Sequence, residues 1–120
     1  MKVAVTSQGK ESANEVDPRF GRAKWFLVID TETGESEPFD NAVNLSAAQG
    51  AGIQTAKNVA DLQADAVITG NVGPNAFRTL QAANVKIFLT QKSTVQEAID
   101  LFKAGKLKEV DQANVQGHWS

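Results

Sequence analysis

The apolar residues among the first 40 positions fall into three short runs that are typical of strands. Residues 2–6 and 25–30 are rich in β-branched, aliphatic and aromatic side chains, whereas a third run over residues 35–39 is more polar. A turn sequence over residues 31–34, which ends in glycine, joins the second run to the third. The pattern therefore predicts one strand followed by a β-hairpin whose second strand is partly exposed.

From residue 46 onward, the pattern changes to helical spacing. Ser46 and Gln49 have the spacing of a capping box, which predicts the start of a helix there. The apolar face of this helix consists of Ile53, Ala56, Val59 and Ala60. Pro74 suits the first turn of a second helix, because its missing N–H costs little at that position, and Phe77 and Leu80 of this helix are expected to point inward.

A second capping box, formed by Thr94 and Glu97, predicts the start of a third helix that ends at Gly105. The apolar residues of this helix recur at helical spacing and are Val95, Ala98, Ile99 and Phe102. Short β-rich runs over residues 66–69 and 85–90 predict strands between the three helices.

The order of these elements, βββαβαβα, predicts an α/β fold with a five-stranded mixed sheet. An antiparallel hairpin forms one side of this sheet, and parallel crossover connections form the other. No linker, repeat or low-complexity tract divides the chain. We therefore expect a single domain over residues 1–107 and a polar, flexible tail over residues 108–120.

Composition narrows the chemistry that this chain can support. Its 120 residues include no cysteine, which excludes disulfides, cysteine nucleophiles and thiolate-held metal sites. His118 is the one histidine, so a multi-histidine transition-metal site is excluded and His118 is the sole histidine candidate for a metal ligand. No apolar run approaches the roughly 20 residues of a membrane span, and the apolar part of the N-terminus is too short for a signal peptide. We expect a cytoplasmic protein with no membrane partner.

Charge is distributed unevenly along the chain. Residues 1–25 carry five basic and three acidic side chains, whereas residues 26–65 carry one basic and seven acidic side chains. The net charge of −2 and the lack of a broad basic stripe argue against a general nucleic-acid surface. A small, local anion site near the basic N-terminal part fits this distribution better.

Residues 16–23 contain the most informative charged pattern, Val-Asp-Pro-Arg-Phe-Gly-Arg-Ala. Arg19 and Arg22 lie three residues apart on either side of Gly21, just before the second strand. A guanidinium presents a rigid fork of N–H donors to oxyanions or similar acceptors, and glycine lets a ligand approach the backbone closely. The pattern favours an anion site, and the alternative is an exposed turn with solvated charges.

Ligands of open α/β sheets bind beyond the carboxyl ends of the parallel strands. Three segments are expected to converge there: residues 7–9 after the first strand, residues 19–22, and residues 70–73 after the fourth strand. The last of these precedes a helix N-terminus, whose free N–H groups attract anions. Gly50-Ala51-Gly52 indicates a close approach to the first helix, but it lacks the third glycine of a dinucleotide fingerprint.

Three motifs carry a resemblance to a known family: residues 16–23, Gly50-Ala51-Gly52, and residues 68–76, which read Ile-Thr-Gly-Asn-Val-Gly-Pro-Asn-Ala. Over about residues 1–107, the chain closely resembles the dinitrogenase iron-molybdenum cofactor-binding family. The resemblance implies a ribonuclease-H-like fold with sheet order 3-2-1-4-5 and a role in binding or carrying a molybdenum-containing sulfide cluster. The chain is similar to small cysteine-free members from sulfate-reducing bacteria, which hold a molybdenum-copper sulfide cluster non-covalently. This likeness implies ATPases of the cell-division type as partners.

The resemblance and the charge pattern together indicate a set of cofactor-binding residues. The candidates are Ser7, Arg19, Phe20, Gly21, Arg22, Asn71, Gly73 and Asn75. We expect Arg19 and Arg22 to form an electrostatic clamp, the serine and the two asparagines to donate hydrogen bonds, and both glycines to allow close backbone approach. Phe20 either covers a face of the cluster or anchors the loop in the core. His118 lies outside the matched region, which disfavours histidine ligation of an iron-molybdenum cofactor.

Other function classes remain open at this point. A nuclease of this fold needs several carboxylates gathered on strand ends to hold two metal ions, but the first strand has no acid and Asp30, Asp40 and Asp65 form no evident cluster. A protein-interaction or regulatory module without a cofactor is a second alternative, and a biosynthetic carrier of the iron-molybdenum cofactor is a third. We favour a monomeric or weakly dimeric cluster-binding protein that is not an enzyme.

Overall fold

The computed structural model describes residues 1–41 and 51–113 of the chain. In this part of the chain, six strands form one mixed sheet in the order β3-β2-β1-β4-β5-β6. The strands are β1 (Lys2–Ser7), β2 (Trp25–Asp30), β3 (Ser36–Asp40), β4 (Ala66–Thr69), β5 (Lys86–Leu89) and β6 (Lys108–Glu109). The helical elements are a 3-10 turn (Phe20–Arg22), α1 (Ala51–Asp61), α2 (Pro74–Ala82) and α3 (Val95–Lys103).

Strand pairing confirms the predicted mixed sheet. β1 pairs in antiparallel fashion with β2 and in parallel with β4, and β4 pairs in parallel with β5. The hairpin β2–β3 therefore forms one side of the sheet, as the sequence predicts. Because β1, β4 and β5 run in the same direction, their last residues, Ser7, Thr69 and Leu89, lie along one edge of the sheet.

The prediction of five strands was wrong, because Lys108–Glu109 forms a sixth strand. β6 pairs with β5 in antiparallel fashion, and the N–H of Val110 donates to the carbonyl of Ile87 at 2.9 Å. Val110 is half-buried and packs against the core. A strand of two charged residues has no alternation of apolar and polar side chains, so the sequence contains no pattern that predicts it. Residues 114–120, which include His118 and the end of the predicted tail, lie outside the described residues.

Apolar side chains cover both faces of the sheet, since successive residues of a strand point to opposite sides. On one face, sheet residues pack against α1 and α2 in a cluster that includes Ala4, Phe26, Val67, Val59 and Leu80. On the other face, sheet residues pack against α3 in a cluster that includes Val3, Leu27, Ile68, Val95 and Ile99. Among the helices of the described residues, none is long and apolar enough to span a membrane.

The predicted helix boundaries are confirmed where the structure describes them. The Oγ1 atom of Thr94 accepts from the N–H of Glu97 at 3.1 Å, and the Glu97 carboxylate accepts from the N–H of Thr94 at 2.9 Å, which is the predicted capping box. Gly105, with φ +72°, follows α3 in the left-handed conformation that glycine favours. The predicted start of the first helix at Ser46 and Gln49, and Gly50, lie outside the described residues.

Candidate functional site

The candidate site is the edge of the sheet where the parallel strands end, which we call the carboxyl edge. Residues 16–23, the arginine loop, cross this edge. Val16 forms an antiparallel bridge with Ser7, and its N–H donates to the carbonyl of Ser93 at 2.9 Å. Farther along, Arg19 forms a parallel bridge with Asn71, and the N–H of Phe20 donates to the Asn71 carbonyl at 3.2 Å. The arginine loop therefore contacts the segment after β1 through Val16 and the segment after β4 through Arg19 and Phe20.

Two buried threonine hydroxyls tie the arginine loop to the strand ends. Thr6 Oγ1 donates to the carbonyl of Asp17 at 2.7 Å and lies 2.9 Å from Thr69 Oγ1. Both threonines are at most 1% exposed. A buried hydroxyl must find a partner within the protein, so this pair makes the position of the loop energetically specific. The carboxylate of Asp17 in turn accepts from the backbone N–H of Arg19 at 3.0 Å.

Gly70 permits the close contact between the arginine loop and the end of β4. A Cβ atom at this position would lie 2.7 Å from the Cα of Pro18, closer than real Cβ contacts allow. The neighbouring Asn71 side chain donates through Nδ2 to the Pro18 carbonyl at 3.0 Å. Gly70 is therefore a positioning residue that the candidate set omits. Its place directly after a buried strand, in a segment expected at the site, was the available signal.

The far end of the arginine loop is held from the direction of α1. Asn41 is fully buried, and its Nδ2 donates to the carbonyl of Ala23 at 2.8 Å. The same amide lies 3.0 Å from Oγ1 of Thr55, a buried residue of α1. Side chains from neighbouring elements thus fix both ends of the loop, and this holds the backbone of Arg19 and Arg22 in place.

Arg19 and Arg22 flank one tight turn at the carboxyl edge. The N–H of Arg22 donates to the carbonyl of Arg19 at 3.2 Å and closes the 3-10 turn. Arg19 is exposed, Arg22 is half-buried, and Gly21 between them is buried. The predicted clamp therefore consists of two solvent-accessible guanidinium groups that leave the same turn.

Phe20 lies in the core. It is 1% exposed and belongs to the apolar cluster beneath α1 and α2. Of the two roles considered for this residue, the structure supports the anchor, because a side chain buried to this extent presents no surface to a ligand. Phe20 thereby holds the turn between the two arginines against the domain.

The other candidate residues lie at or near the same edge. Ser7 is fully buried, and its Oγ donates to the carbonyl of Gly9 at 2.7 Å, so its hydroxyl proton is engaged within its own turn. Gly73 is the buried N-cap residue of α2. Asn75, in the first turn of α2, is exposed, and its Oδ1 accepts from Arg78 at 2.7 Å.

A surface depression of about 310 Å³ lies on the same edge, beside the arginine loop. It is lined by Gln8, Glu15, Val16, Pro18, Gly70, Thr90, Gln91 and Lys92. Neither arginine lines this depression, and among the residues that the structure describes its only cationic lining residue is Lys92. The sequence contained a signal for Lys92, because residues 90–92 follow β5 just as residues 7–9 follow β1, at the carboxyl ends of strands in one sheet.

The model of the family described as dinitrogenase iron-molybdenum cofactor matches residues 1–105. The chain belongs to this family. It is similar to the apo form of the orange protein from Desulfovibrio gigas, at 38% identity over 95% of this chain and 96% of that chain, with a TM-score of 0.92. A putative NifB protein from Thermotoga is 39% identical over 97% and 98% of the two chains, with a TM-score of 0.84. An uncharacterized protein of Methanocaldococcus jannaschii is 28% identical over 114 residues, which is 92% of each chain.

Membership of the dinitrogenase iron-molybdenum cofactor family confirms the resemblance drawn from the three motifs. Membership of the family supports a role in binding or carrying a cofactor related to the iron-molybdenum cofactor. Within the described residues, no three His, Asp or Glu side chains lie close enough together to hold a metal ion. The charged groups that the arginine loop offers at the carboxyl edge are the guanidiniums of Arg19 and Arg22 and the carboxylate of Asp17.

Proposed function

We propose that this protein binds and carries an anionic molybdenum-copper sulfide cluster, without a covalent bond, at the carboxyl edge. The observation that carries this proposal is the attachment of the arginine loop to the ends of β1 and β4, which holds the turn that bears Arg19 and Arg22 beside these strand ends. A preassembled cluster holds its metals through its own sulfides, so a chain without cysteine can bind it through charge and N–H donors.

The residues have distinct roles in this proposal. Arg19 and Arg22 supply positive charge and N–H donors to the cluster's sulfides. Lys92 adds a third cation on the other side of Pro18. Asn71 and the exposed Asn75 lie at the start of α2, where the helix dipole also favours an anion.

The iron-molybdenum cofactor is the second candidate ligand, because the family's description names it. The molybdenum-copper cluster is preferred since the described residues offer no histidine or thiolate that could ligate a metal of the cofactor directly. A cytoplasmic location, a cell-division-type ATPase as the partner that loads or receives the cluster, and a monomeric or weakly dimeric state belong to the same proposal.

The test is retention of metals by the purified protein. We expect protein mixed with tetrathiomolybdate and copper to develop a visible charge-transfer spectrum and to keep both metals through desalting. Arg19→Ala combined with Arg22→Ala should weaken retention about tenfold or more, since losing even about 1.4 kcal/mol of binding energy is a factor of ten. The fold should remain intact, with the free energy of unfolding changed by less than about 1 kcal/mol, because Arg19 is exposed and Arg22 is only half-buried.

A charge-matched control is available at the opposite edge of the sheet. Lys86→Ala combined with Lys103→Ala removes two exposed cations and should leave retention unchanged. Metals that wash out of the wild-type protein would reject the carrier function. Equal retention by the arginine variant and the wild type would show that the clamp is elsewhere.

Trp25 can report where the cluster binds. It pairs with Ser7 at the carboxyl edge, and the ammonium of Lys10 lies 4.9 Å from the centroid of its ring. With Trp119→Phe as background, Trp25 is the single tryptophan. We expect a bound chromophore to quench its fluorescence, whereas retained metals without quenching would place the cluster away from this edge.

A further inference from the structure

A groove with an apolar floor and an acidic rim lies on the sheet face beside α1. Two adjoining openings of about 460 Å³ and 230 Å³ share Phe39 and Leu62 as lining residues. The floor consists of Phe26, Val28, Phe39 and Leu62. The rim consists of Asp30, Glu35, Glu37, Asp40 and Asp61. We call these nine residues the acidic groove.

The floor of the acidic groove is apolar surface that the described elements leave partly open. Phe26 and Phe39 pair across β2 and β3 with their rings stacked at 5.7 Å between centroids, and Val28 follows on the same face. Leu62, directly after α1, borders them. Val28, Phe39 and Leu62 are each half-buried although they pack against the core. In the described part of the chain, α1 and α2 cover this face over the centre of the sheet but not over the hairpin.

The charge of the rim selects a cationic partner. Five acidic residues line the two openings, and among the described residues the only basic one that does so is Lys2. The carboxyl end of α1 lies at Asp61, where the helix dipole adds negative potential. A rim of this sign steers basic partners and disfavours acidic ones.

The edge strand β3 is unsuited to pairing with a further strand. Asp30 donates to the Glu35 carbonyl and Asn41 donates to the Lys24 carbonyl, so hydrogen-bonded pairs alternate between these positions. Leu27 and Pro38 form a non-hydrogen-bonded pair in this register. The nitrogen of Pro38, which has no hydrogen to donate, therefore faces the open edge of the sheet. A partner is expected to lie in the groove instead of extending the sheet.

The dimensions of the acidic groove match a short helix. The five residues of β3 extend over about 16 Å, which is the length of about 11 helical residues. Two adjacent strands present a face roughly 10 Å wide, close to the diameter of a helix. We propose that the acidic groove docks a short amphipathic helix of a partner protein, with an apolar stripe flanked by lysine or arginine. This inference does not rest on the cluster, because, among the residues that the structure describes, the groove and the depression beside the arginine loop share no lining residue.

The proposal can be tested with designed peptides. The probe is a 12-residue amphipathic helix of leucine and lysine, and its control has glutamate at every lysine position. In backbone amide NMR spectra, we expect the basic peptide to shift the signals of Val28, Phe39 and Leu62, and the acidic peptide to shift none of them. Shifts confined to other surfaces, or equal binding of both peptides, would overturn the proposal.

Charge-reversal variants provide the second test. Glu37→Lys combined with Asp61→Lys should raise the Kd of the basic peptide at least tenfold and allow the acidic peptide to bind. Asp100→Lys combined with Asp111→Lys makes the same change in net charge outside the groove, and its Kd should stay within about twofold of the wild type. An equal loss of affinity in both variants would show that the effect depends on net charge alone, and it would reject the site.

Two further measurements test whether the apolar floor contributes to binding and whether a second copy of this chain occupies the groove. Leu62→Gln should weaken the basic peptide about tenfold, with denaturant unfolding used to check that the protein remains folded. Undiminished binding to a folded Leu62→Gln variant would contradict a role for the floor. In sedimentation experiments without peptide, self-association that is abolished by Glu37→Lys and Asp61→Lys would assign the groove to a second copy of this chain and overturn the proposal.

Discussion

The carboxyl edge and the acidic groove belong to the same sheet but are built by different means. At the carboxyl edge, separate loops are joined by main-chain bridges and by buried hydroxyls, as at Thr6 and Thr69. The acidic groove is formed by side chains of two regular strands and the end of one helix. Changes that disturb backbone packing should therefore disrupt the edge, whereas changes of charge should alter the groove at little cost in stability.

β2 separates the two charge environments. Trp25 begins the strand opposite Ser7 at the carboxyl edge, and Asp30 ends it opposite Lys2 at the other edge. The six residues of this strand extend over roughly 20 Å, well beyond the Debye length of about 8 Å at physiological ionic strength. Asp30 and its partner Glu35 are therefore separated from the arginine loop, whereas Asp40, which pairs with Trp25, lies near the carboxyl edge. The end of the rim at Asp30 and Glu35 can therefore attract a cationic ligand without neutralising the arginines.

The largest expected effect comes from Gly70→Ala. The added Cβ would meet the Cα of Pro18, and the arginine loop would have to move from the end of β4. We expect a loss of about 1–3 kcal/mol in the free energy of unfolding, typical of overpacking against backbone. Denaturant unfolding measures this loss, and metal retention should fall in parallel. Peptide binding at the acidic groove should be unchanged.

Gly9→Ala is the matched control for this substitution. Its Cβ would meet the end of the Asn14 side chain, which can move aside, so we expect a smaller loss of stability. Equal stability of Gly70→Ala and the wild type would show that the loop is not held against this strand. Loss of groove binding in Gly70→Ala would show that the two regions are coupled.

Thr6→Val should have an intermediate effect. The substitution keeps the shape of the side chain but removes the donor to the Asp17 carbonyl, which costs about 1–2 kcal/mol at a buried site. Amide hydrogen exchange should accelerate over residues 16–20, and metal retention should weaken although no cluster contact is assigned to Thr6. Thr79→Val, which removes a hydroxyl bonded within α2, provides the control. Unchanged exchange in the loop would contradict a positioning role for Thr6.

The sequence predicts the sheet well because its strands and caps are local patterns. The capping box at Thr94 and the first five strands along the chain follow from residues close together in the sequence, whereas the order of those strands in the sheet was implied by the family resemblance. Convergence at the carboxyl edge also follows, since parallel strands must end together. In contrast, β6 is a pairing between distant backbones, and the need for glycine at Gly70 arises from Pro18, which lies 52 residues earlier.

The acidic groove could not be predicted from the sequence, because it also depends on residues that are distant in the chain. Its carboxylates come from a hairpin and from the end of α1, and only the packing of Leu62 beside Phe39 gives them a common apolar floor. The sequence shows the excess of acidic residues between positions 26 and 65 but not the surface on which they meet. Phe20 illustrates the same limit, because an aromatic residue beside two arginines has the same local pattern whether it faces a ligand or the core.

The smallest effect concerns the charge of Asp30 on the rim of the acidic groove. Its carboxylate accepts from the N–H groups of Glu32 at 2.8 Å and Thr33 at 3.3 Å, and these bonds, in that order, lower its pKa below the ordinary value of 3.8. The stability that this carboxylate contributes should be present at neutral pH and lost as the pH falls through its folded-state pKa. Carboxyl NMR titration should give a lower midpoint in the folded protein than in denaturant.

The same titration tests whether the acidic groove is independent of the carboxyl edge. Both donors to Asp30 lie within three residues of it, so the lowered pKa should persist in Gly70→Ala, where the carboxyl edge is disturbed. Asp30 should therefore keep its lowered pKa whatever happens at the arginine loop. If the midpoint of Asp30 rose to its denatured value in Gly70→Ala, the hairpin would depend on the carboxyl edge, and the two surfaces would have to be treated as one cooperative unit.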